Sequence, residues 1–206
     1  MPSISAMKKI LVTGATGFVG RQVIHFLADY DVQLFLVVRK GKERVFHSFP
    51  QVVKIITTND LFAESASWWS TNCHEIDIVV HLAWYTEPGK YLESKTNIDC
   101  LIGSLNVAKG ATQAGVKRFV GVGTCFEYDL SDGFVSINTP LNPMSLYADT
   151  KVALYLSLLH WLSASSIDFV WCRLFYLYGE GEHPQRLVPY LRTMLQKGEP
   201  VDLTSG

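Results

Sequence analysis

The amino-acid sequence predicts an α/β fold, a doubly wound parallel sheet with helices on both faces, from three observations. Runs rich in Val, Ile, Leu and Phe recur along the chain, and each run is continuous rather than alternating, as strands buried on both faces are. Segments of helical pattern lie between the runs, so strand and helix alternate through most of the chain. A glycine-rich turn joins the first run directly to the first helical segment.

The predicted elements follow in order from the first strand. Strands are expected at 9–13, 34–38, 52–57, 76–82, 117–122 and 168–175, and helices at 18–29, 61–72, 90–114 and 146–164. The stretch 129–145 contains Asp132-Gly133 and two prolines, so we expect a long irregular loop there. Residues 2–6 precede a second methionine, Met7, and are left out of the fold prediction.

The composition excludes several classes of protein. With 206 residues, 48% of them hydrophobic and 18% charged, the chain can bury a core and is not disordered. Lys and Arg number 18 and Asp and Glu 19, a net charge of −1, so no positive field favours nucleic acid. No apolar run reaches the roughly 18 residues that a membrane span requires, so we expect no membrane association and a cytoplasmic location.

The cysteines and the metal-binding residue types show no paired spacing. No C-x-x-C motif occurs, and each cysteine lies in or beside an apolar run, which predicts reduced thiols in the core. No cluster of His, Cys and carboxylates has ligand spacing, so no metal is expected. The four cysteines are Cys73, Cys100, Cys125 and Cys172.

The first predicted strand runs into a glycine loop, Thr13-Gly14-Ala15-Thr16-Gly17-Phe18-Val19-Gly20, with a helix directly after it. Glycine permits the turn and leaves no side chain between backbone and phosphate, while the first N–H groups of the helix face a pyrophosphate. Gly20 would let helix and strand pack closely. A purely structural turn would use the same residues, but the position at the start of a long βαβ pattern favours a Rossmann-type sheet that binds a dinucleotide.

The end of the second predicted strand is where such folds read the adenosine ribose, and here it carries Arg39. A carboxylate would bind both free ribose hydroxyls, whereas the planar guanidinium suits a 2′-phosphate. We therefore expect NADP, with NAD as the alternative if Arg39 belongs only to a solvated loop. After the third strand, Asp60, followed by Leu61, can accept the adenine amino group or cap the next helix, and the two roles are compatible.

Tyr147 and Lys151 lie one turn apart on one face of a predicted helix. A free tyrosine has a pKa of about 10, and a neighbouring ammonium stabilises the phenolate, so we expect a lowered pKa for Tyr147. Tyr147 could then exchange a proton with a substrate oxygen during hydride transfer, while Lys151 could hold the nicotinamide ribose. Taken alone, this spacing is also common in surface pairs.

Thr124 ends the fifth predicted strand, at the edge of the sheet where such folds bind ligands. Its hydroxyl could bond the reacting oxygen and orient it toward Tyr147. A threonine that caps a turn is the competing interpretation.

Together and in this order, these features resemble the extended short-chain dehydrogenase/reductase family, in its NAD(P)-dependent nucleotide-sugar epimerase, dehydratase and reductase branch. The resemblance covers residues 8 to about 204. The family motif H-x-A-A resembles His81-Leu82-Ala83-Trp84, and N-x-x-G-T-x-N resembles Asn97 through Asn106. The motif N-P-x-S-x-Y-x-x-S-K matches Asn142 through Lys151, with Thr150 in place of serine, and R-x-x-N-V-Y-G is similar to Arg173 through Gly179.

The resemblance implies a hydride-transfer enzyme acting on a sugar attached to a nucleoside diphosphate. It implies a catalytic set of Thr124, Tyr147 and Lys151, with His81 a packed strand-end residue rather than a proton carrier. The backbone amides of Phe18 and Val19 would face the pyrophosphate. The implied cofactor-binding residues are Gly14, Thr16, Gly17, Phe18, Val19, Arg39, Asp60, Leu61, Leu82, Ala83, Asn97, Tyr147 and Lys151.

Departures from the family pattern narrow the expected activity. Cys125 and Phe126 stand where the 4,6-dehydratases carry an Asp-Glu pair, so dehydration is not expected. Trp84 replaces a small alanine near the nicotinamide, and Tyr176 stands where the family often has a substrate-contacting Asn, so both are expected to shape the sugar site. Arg186 is expected to meet the substrate diphosphate or to be solvated, two interpretations of equal weight.

Two domains are expected. The Rossmann domain would cover 8–178, and 179–206 would begin a smaller substrate-binding domain that is truncated relative to family members of roughly 300 residues.

The sequence favours NADPH-dependent reduction of a 4-keto-6-deoxysugar nucleotide. The alternatives are a nucleotide-sugar epimerase that retains its NAD(P) and a non-catalytic regulatory protein that senses NADP. We also expect a homodimer, because apolar residues cover nearly every face of 154–162 and Leu101, Ile102 and Leu105 could complete the interface. Another part of the same chain could cover that face instead.

Overall fold

The computed structural model describes residues 7–46 and 48–201, which form a six-stranded sheet with every strand parallel to its neighbours. The strand order is β3-β2-β1-β4-β5-β6, so the direction of winding reverses between β1 and β4. Ligands bind at the carboxyl ends of the strands beside such a reversal. The strands are β1 (Lys8–Thr13), β2 (Val32–Arg39), β3 (Val52–Thr58), β4 (Ile78–His81), β5 (Arg118–Thr124) and β6 (Asp168–Leu174).

Helices cover both faces of this sheet, as the predicted fold class requires. One buried cluster joins the sheet to Trp69, Val107 and Leu154 from three helices, and a second cluster on the other face contains Ile24. The predicted doubly wound α/β fold is therefore confirmed. The helices are α1 (Phe18–Leu27), α2 (Ala66–Asn72), α3 (Thr96–Gln113), α4 (Leu146–Ala164) and α5 (Leu187–Lys197), with short 3-10 turns at Glu43–Phe46, Leu61–Ala63 and Cys125–Glu127.

Two predicted helices begin later than expected, for local reasons. The segment 61–72 divides because the Ser65 hydroxyl accepts a hydrogen bond from the Trp68 amide and starts α2 afresh. The segment 90–114 becomes helical only at Thr96, because the Asn97 side chain donates to the carbonyls of Tyr91 and Ser94 and fixes them in a loop. The chain between β4 and α3 is therefore a loop, and this loop contributes to the site described below.

Helix α4 is apolar on two sides. One side is buried in the core, and the other is exposed. Leu154, Leu158 and Leu162 are buried at successive turns. Leu156 is exposed on α4, as are Ile98 and Ile102 on α3. Of the other two residues expected at an interface, Leu101 and Leu105 are partly buried and pack against the core. The homodimer stays a prediction.

After β6 the chain leaves the sheet and becomes exposed. Phe175, Tyr176, Leu177 and Tyr178 are exposed, and none of the residues of α5 is buried. The Gln22 side chain donates to the Glu180 carbonyl at 3.2 Å and ties this segment to α1. The last residues of the predicted second domain, 202–206, lie outside the described residues, and the division at 178/179 stays a prediction.

Across 7–46 and 48–201, no helix combines the length and apolarity that crossing a membrane requires. Within the same ranges, no three His, Cys, Asp or Glu side chains converge as metal ligands would.

Candidate functional site

The glycine loop between β1 and α1 is packed too tightly for side chains at two of its positions. Gly14 has a φ of 72°, and a Cβ there would lie 2.7 Å from the Ala83 amide nitrogen. A Cβ on Gly20 would lie 2.1 Å from the Gly14 carbonyl oxygen. Gly20 therefore lets α1 pack closely against the loop residues Gly14 and Ala15, whereas the prediction placed this packing between helix and strand. The loop is also pressed against Leu82 and Ala83, which follow β4, so the two sides of the topological reversal meet here.

The N-terminus of α1 is open, unlike the N-termini of α2 and α4. Ser65 and Ser145 cap α2 and α4 with their hydroxyls, whereas the N-cap of α1 is Gly17, with no side-chain cap and no acidic residue in the first turn. The first backbone N–H groups of α1, at Phe18 and Val19, are therefore available to an anion. These residues fit the pyrophosphate of a dinucleotide. Thr16 precedes the cap, and its carbonyl accepts a hydrogen bond from the Arg21 Nε at 3.1 Å.

The predicted adenosine-binding residues lie at the carboxyl ends of β2 and β3. Arg39 is exposed at the last position of β2, in register with Thr58 of β3. The Asp60 carboxylate accepts a hydrogen bond from the Phe62 amide at 3.0 Å and caps the turn that starts at Leu61. The capping role anticipated for Asp60 is thus observed, and its second carboxylate oxygen remains an acceptor for an adenine amino group.

Thr124 occupies the junction of β5 and a 3-10 turn, where two hydrogen bonds fix its backbone and side chain. Its hydroxyl accepts from the Phe126 amide at 3.3 Å, and its own amide donates to the Glu127 carboxylate at 2.8 Å, a reciprocal capping box. The capping interpretation of Thr124 is therefore correct. The same side chain lies close enough to Tyr147 to act on the pKa of its phenol in the lowering direction.

Tyr147 lies in the first turn of α4 and is buried, with its ring edge-on to Tyr91 at a centroid distance of 4.9 Å. Burial raises the pKa of Tyr147 above its ordinary value, and the hydrogen bond with Thr124 acts against that increase. The predicted lowering of the Tyr147 pKa is therefore wrong. The reason is that desolvation outweighs any effect of Lys151, whose Nζ lies 6.0 Å from the Tyr147 ring centroid.

Lys151 is a buried cation, with 4% of its surface exposed. Its Nζ donates to the Val122 carbonyl at 2.7 Å and lies 3.8 Å from the centroid of the Trp84 ring. Burial lowers the pKa of Lys151 to about 7, while the Glu127 carboxylate and the Cys100 thiol act in the raising direction. Thr124, Tyr147 and Lys151 are thus brought together at the carboxyl end of β5.

The loop after β4 is held by Asn97, which the sequence assigned to the cofactor. The Asn97 side chain is fully buried and accepts from the Trp84 indole N–H at 2.8 Å. Its amide group donates to the Tyr91 carbonyl at 2.6 Å and to the Ser94 carbonyl at 2.9 Å. Both NH₂ hydrogens of Asn97 are therefore used within the loop, and the residue fixes the position of Trp84.

His81 ends β4 inside a chain of hydrogen bonds whose direction can be derived. Ser104 Oγ donates to the Cys100 carbonyl at 2.6 Å, so it accepts from His81 Nε2 at 2.8 Å. His81 Nδ1 is then an acceptor, and the Thr13 hydroxyl donates to it at 2.8 Å. Burial lowers the pKa of His81 to about 3. The neutral, packed histidine expected from the sequence agrees with this geometry.

Glu127 is a site residue that the sequence interpretation missed. Its side chain is fully buried and accepts from the Thr124 amide, from Trp171 Nε1 at 3.1 Å and from Arg173 Nε at 2.6 Å. Gly123 makes room for this network, because a Cβ there would lie 2.2 Å from Glu127 Oε1. The spacing of Thr124 and Glu127 is that of a capping box, a signal that could have drawn attention to this carboxylate.

The two remaining predicted substrate residues lie outside this buried cluster. Tyr176 is 79% exposed, and its ring lies edge-on to Phe126 at 6.0 Å, close to the turn that follows Thr124. Arg186 precedes α5 with its side chain exposed. Their proposed substrate contacts stay predictions.

The chain is similar to a family of known proteins. The model of the "NAD dependent epimerase/dehydratase family" matches residues 10–206. The chain is 24% identical over 172 residues to dTDP-6-deoxy-L-talose 4-dehydrogenase (NAD(+)) of Aggregatibacter actinomycetemcomitans, an alignment that covers 83% of this chain and 62% of that protein. It is 27% identical over 216 residues to dTDP-glucose 4,6-dehydratase of Streptomyces antibioticus, covering 94% of this chain and 61% of that protein.

A similar solved structure is that of MoeE5 in complex with UDP-glucose and NAD, with a TM-score of 0.72 and 26% identity over 94% of this chain and 62% of the other. The chain therefore spans about three fifths of the length of these curated relatives. Because the family model matches nearly every residue from the first strand to the last helix, together with the sheet order and the open glycine loop, the chain belongs to the NAD dependent epimerase/dehydratase family.

Proposed function

We propose that this protein is an NAD(P)-dependent oxidoreductase of nucleoside-diphosphate sugars, and that it reduces a 4-keto-6-deoxysugar nucleotide with NADPH. The observation that carries the proposal is the convergence of Thr124, Tyr147 and Lys151 at the carboxyl end of β5. Through Trp84, this cluster adjoins Ala83, against which the glycine loop packs.

The cofactor would be held from both sides of the topological reversal. The amides of Phe18 and Val19 would bind the pyrophosphate, and Gly14 lets the loop pack against Ala83 and so keeps the start of α1 in place. Arg39 supports NADPH over NADH, because an exposed guanidinium at this strand end can bind a 2′-phosphate through two hydrogen bonds. When bound, the cofactor supplies the hydride.

The protonation state of Tyr147 favours the reductive direction. Burial raises the pKa of Tyr147, so the phenol keeps its proton at neutral pH and can donate it to a carbonyl oxygen that gains a hydride. Thr124 would bond the same oxygen from the end of β5. Lys151, with its pKa lowered to about 7, exchanges a proton readily at neutral pH and can restore the one that Tyr147 gives up.

The residues beside Thr124 argue against elimination of water. Cys125 and Phe126 follow Thr124, and neither supplies a general base at neutral pH, because burial raises the pKa of Cys125 and keeps its thiol protonated, while Phe126 has no ionisable group. Trp84 and Tyr176 would border the sugar, and Arg186 would meet the diphosphate.

The test is oxidation of NADPH by the purified protein in the presence of a panel of nucleoside-diphosphate 4-keto-6-deoxysugars, followed by NADPH absorbance. Tyr147→Phe should reduce turnover at least a hundredfold, the lower range for loss of a general acid. The matched control is Tyr30→Phe, an exposed tyrosine between α1 and β2 at the opposite end of the sheet, which should keep full turnover. Equal turnover of Tyr147→Phe and the wild type would reject the proposal.

A nucleotide-sugar epimerase with retained NAD(P) is the second candidate, favoured by the family match. It would oxidise and re-reduce one sugar carbon with no net consumption of NADPH. Interconversion of two sugar nucleotides without added cofactor would replace the reductase with this function.

The assembly and organisation of the full protein also belong to the proposal. Residues 8–178 would form the cofactor domain and residue 179 would begin the substrate domain. Two copies would pair through the outer sides of α3 and α4, where Ile98, Ile102 and Leu156 are exposed. The protein would act in the cytoplasm. Light scattering coupled to size-exclusion chromatography tests the dimer, and a monomer at micromolar concentration would reject it.

A further inference from the structure

Trp84 occupies a central position among the residues of the site. Its indole N–H is fixed by the buried Asn97 carbonyl at 2.8 Å. Its ring lies edge-on to Phe62 and to Tyr147, each at a centroid distance of 6.4 Å. The face of the ring is turned to the Lys151 ammonium, 3.8 Å from the centroid. The indole is thus held at its N–H and at its edges, while its face receives a cation.

The contacts of Lys151 fix its ammonium from two sides. An ammonium has three N–H donors and no acceptor. One donor is used by the Val122 carbonyl at 2.7 Å, and the ammonium also lies within the range at which the negative face of an indole attracts a cation. These two contacts come from different elements, β5 and the loop after β4, and together they fix where the ammonium lies relative to Tyr147.

We propose that Trp84 is a positioning residue that holds the Lys151 ammonium on its indole face and so directs a remaining N–H donor to a cofactor or substrate hydroxyl. This role differs from the sugar contact expected from the sequence, because Trp84 acts through Lys151. Only the effect on cofactor affinity rests on the proposed function, since the contact between the two side chains belongs to the protein itself.

A tryptophan suits this position for two reasons. Its ring face is the most attractive of the aromatic side chains for a cation. Its N–H group can also reach Asn97, which a phenylalanine ring cannot do. Because Asn97 anchors the carbonyls of Tyr91 and Ser94 as well, the loop after β4 and the position of Lys151 are linked through one side chain.

The test uses the whole chain with ¹³C-labelled lysine and needs no substrate. Protons over an indole face are shielded, so the ε-methylene signal of Lys151 should lie upfield of every other lysine, and Lys151→Met should remove that signal and assign it. Trp84→Leu should return the signal to the range of exposed lysines. Trp84→Phe keeps a ring and should keep part of the shift. The matched control is Trp161→Leu, about 15 Å farther along α4, which should leave the Lys151 signal unchanged.

The second readout is cofactor affinity, measured by titration with NADPH and with NADH. Trp84→Leu should weaken binding of the preferred cofactor about tenfold, the loss of one well-placed contact, and Trp84→Phe should recover part of it. A wild-type Lys151 signal at the position of exposed lysines would overturn the inference, as would an unchanged shift in Trp84→Leu. If no sugar nucleotide is turned over while the shift depends on Trp84, then the proposed function fails and the inference stands.

Discussion

The half of the site proposed to bind the cofactor and the half proposed to be catalytic, called below the cofactor half and the catalytic half, lie on the same edge of the sheet but are built from different groups. In the cofactor half, between β1 and β3, the groups proposed to bind are backbone amides at the open start of α1 and the exposed Arg39. In the catalytic half, between β4 and β6, they are buried side chains, among them His81, Glu127 and Lys151. The cofactor half presents hydrogen-bond donors to solvent, whereas the catalytic half buries ionisable side chains away from solvent.

This difference indicates which half of the site takes more from the stability of the fold. An amide at a helix N-terminus has no partner within the helix in any case and can bond to water when no ligand is bound, so a site made of such groups takes little from the stability of the fold. A buried charge must be paired and hydrogen-bonded within the protein, so the catalytic half depends on contacts between distant segments. Substitutions at the two halves should therefore differ in their effect on the free energy of unfolding.

The largest expected loss of stability is in the catalytic half, for Glu127→Ala. This change leaves the Arg173 guanidinium without its carboxylate and the Thr124 amide and the Trp171 N–H without an acceptor. We expect the free energy of unfolding to fall by about 3–5 kcal/mol, the usual cost of breaking a buried ion pair by removing one partner. Urea unfolding followed by tryptophan fluorescence measures it.

Glu93→Ala is the control for this prediction, because Glu93 is exposed in the loop before α3. Its effect should stay within about 0.5 kcal/mol. Similar losses for the two variants would show that the Glu127 network does not stabilise the catalytic half and would break the comparison.

The stability of the cofactor half should depend on backbone packing rather than on side-chain charge. Gly20→Ala tests this expectation. The added methyl would stand 2.1 Å from the Gly14 carbonyl oxygen, so the glycine loop must shift. We expect a loss of about 1–3 kcal/mol, typical of overpacking, together with loss of dinucleotide binding. Denaturant unfolding and a fluorescence titration with NADPH measure the two effects.

Gly133→Ala provides the comparison for Gly20→Ala. Gly133 has a φ of 67° in open space, so alanine there is strained by about 1–2 kcal/mol without touching the glycine loop. It should lose stability but keep cofactor affinity. Retained dinucleotide binding in Gly20→Ala would mean that the loop tolerates the shift and that its backbone does not define the site.

The same difference explains how much of the molecule could be predicted from the sequence. The six strands and the helices on both faces of the sheet could be predicted from local patterns, because a continuous apolar run and a glycine loop can each be recognised within a few residues. The open start of α1, Thr124 and the Tyr147 and Lys151 pair were found in the same way. Helix α3 was predicted to begin too early because the loop before it is fixed by Asn97, through contacts that no periodicity records.

Contacts between distant segments account for what the sequence did not predict. Glu127 meets Arg173 across a separation of 46 residues, and Lys151 meets Trp84 from a different element. The direction of the Tyr147 pKa was wrong for the same reason, since spacing places Lys151 one turn away but does not reveal how deeply the phenol is buried. Burial is a property of the packed chain, and it is the largest cause of the pKa shifts of His81, Tyr147 and Lys151.

A pH titration sharpens the comparison at His81. Burial lowers the pKa of His81 from 6.5 to about 3, so in that interval the unfolded chain binds a proton that the folded chain does not. The free energy of unfolding contributed by His81 is therefore complete above pH 6.5 and falls by about 1.4 kcal/mol per pH unit as the pH drops toward 3. His81→Gln, which keeps hydrogen-bonding atoms but does not titrate, should lose stability less steeply over this interval. Parallel pH dependences in the two proteins would place the imidazole in contact with water.

The smallest effect on stability is expected for Arg39→Ala. This variant should lose cofactor affinity without losing stability, which is the clearest contrast with Glu127→Ala. Arg39 is exposed at the end of β2, so Arg39→Ala should change the free energy of unfolding by less than about 0.5 kcal/mol. The affinity of the Arg39→Ala variant for NADPH should nevertheless fall about tenfold, since a charge-assisted hydrogen bond to phosphate contributes at least about 1.4 kcal/mol. The affinity of the variant for NADH should stay the same. Titration with both reduced cofactors, with Arg21→Ala as the exposed control within α1, measures the ratio. If NADH binds the wild type more tightly than NADPH, then Arg39 does not read a 2′-phosphate, and the cofactor half acts through its backbone alone.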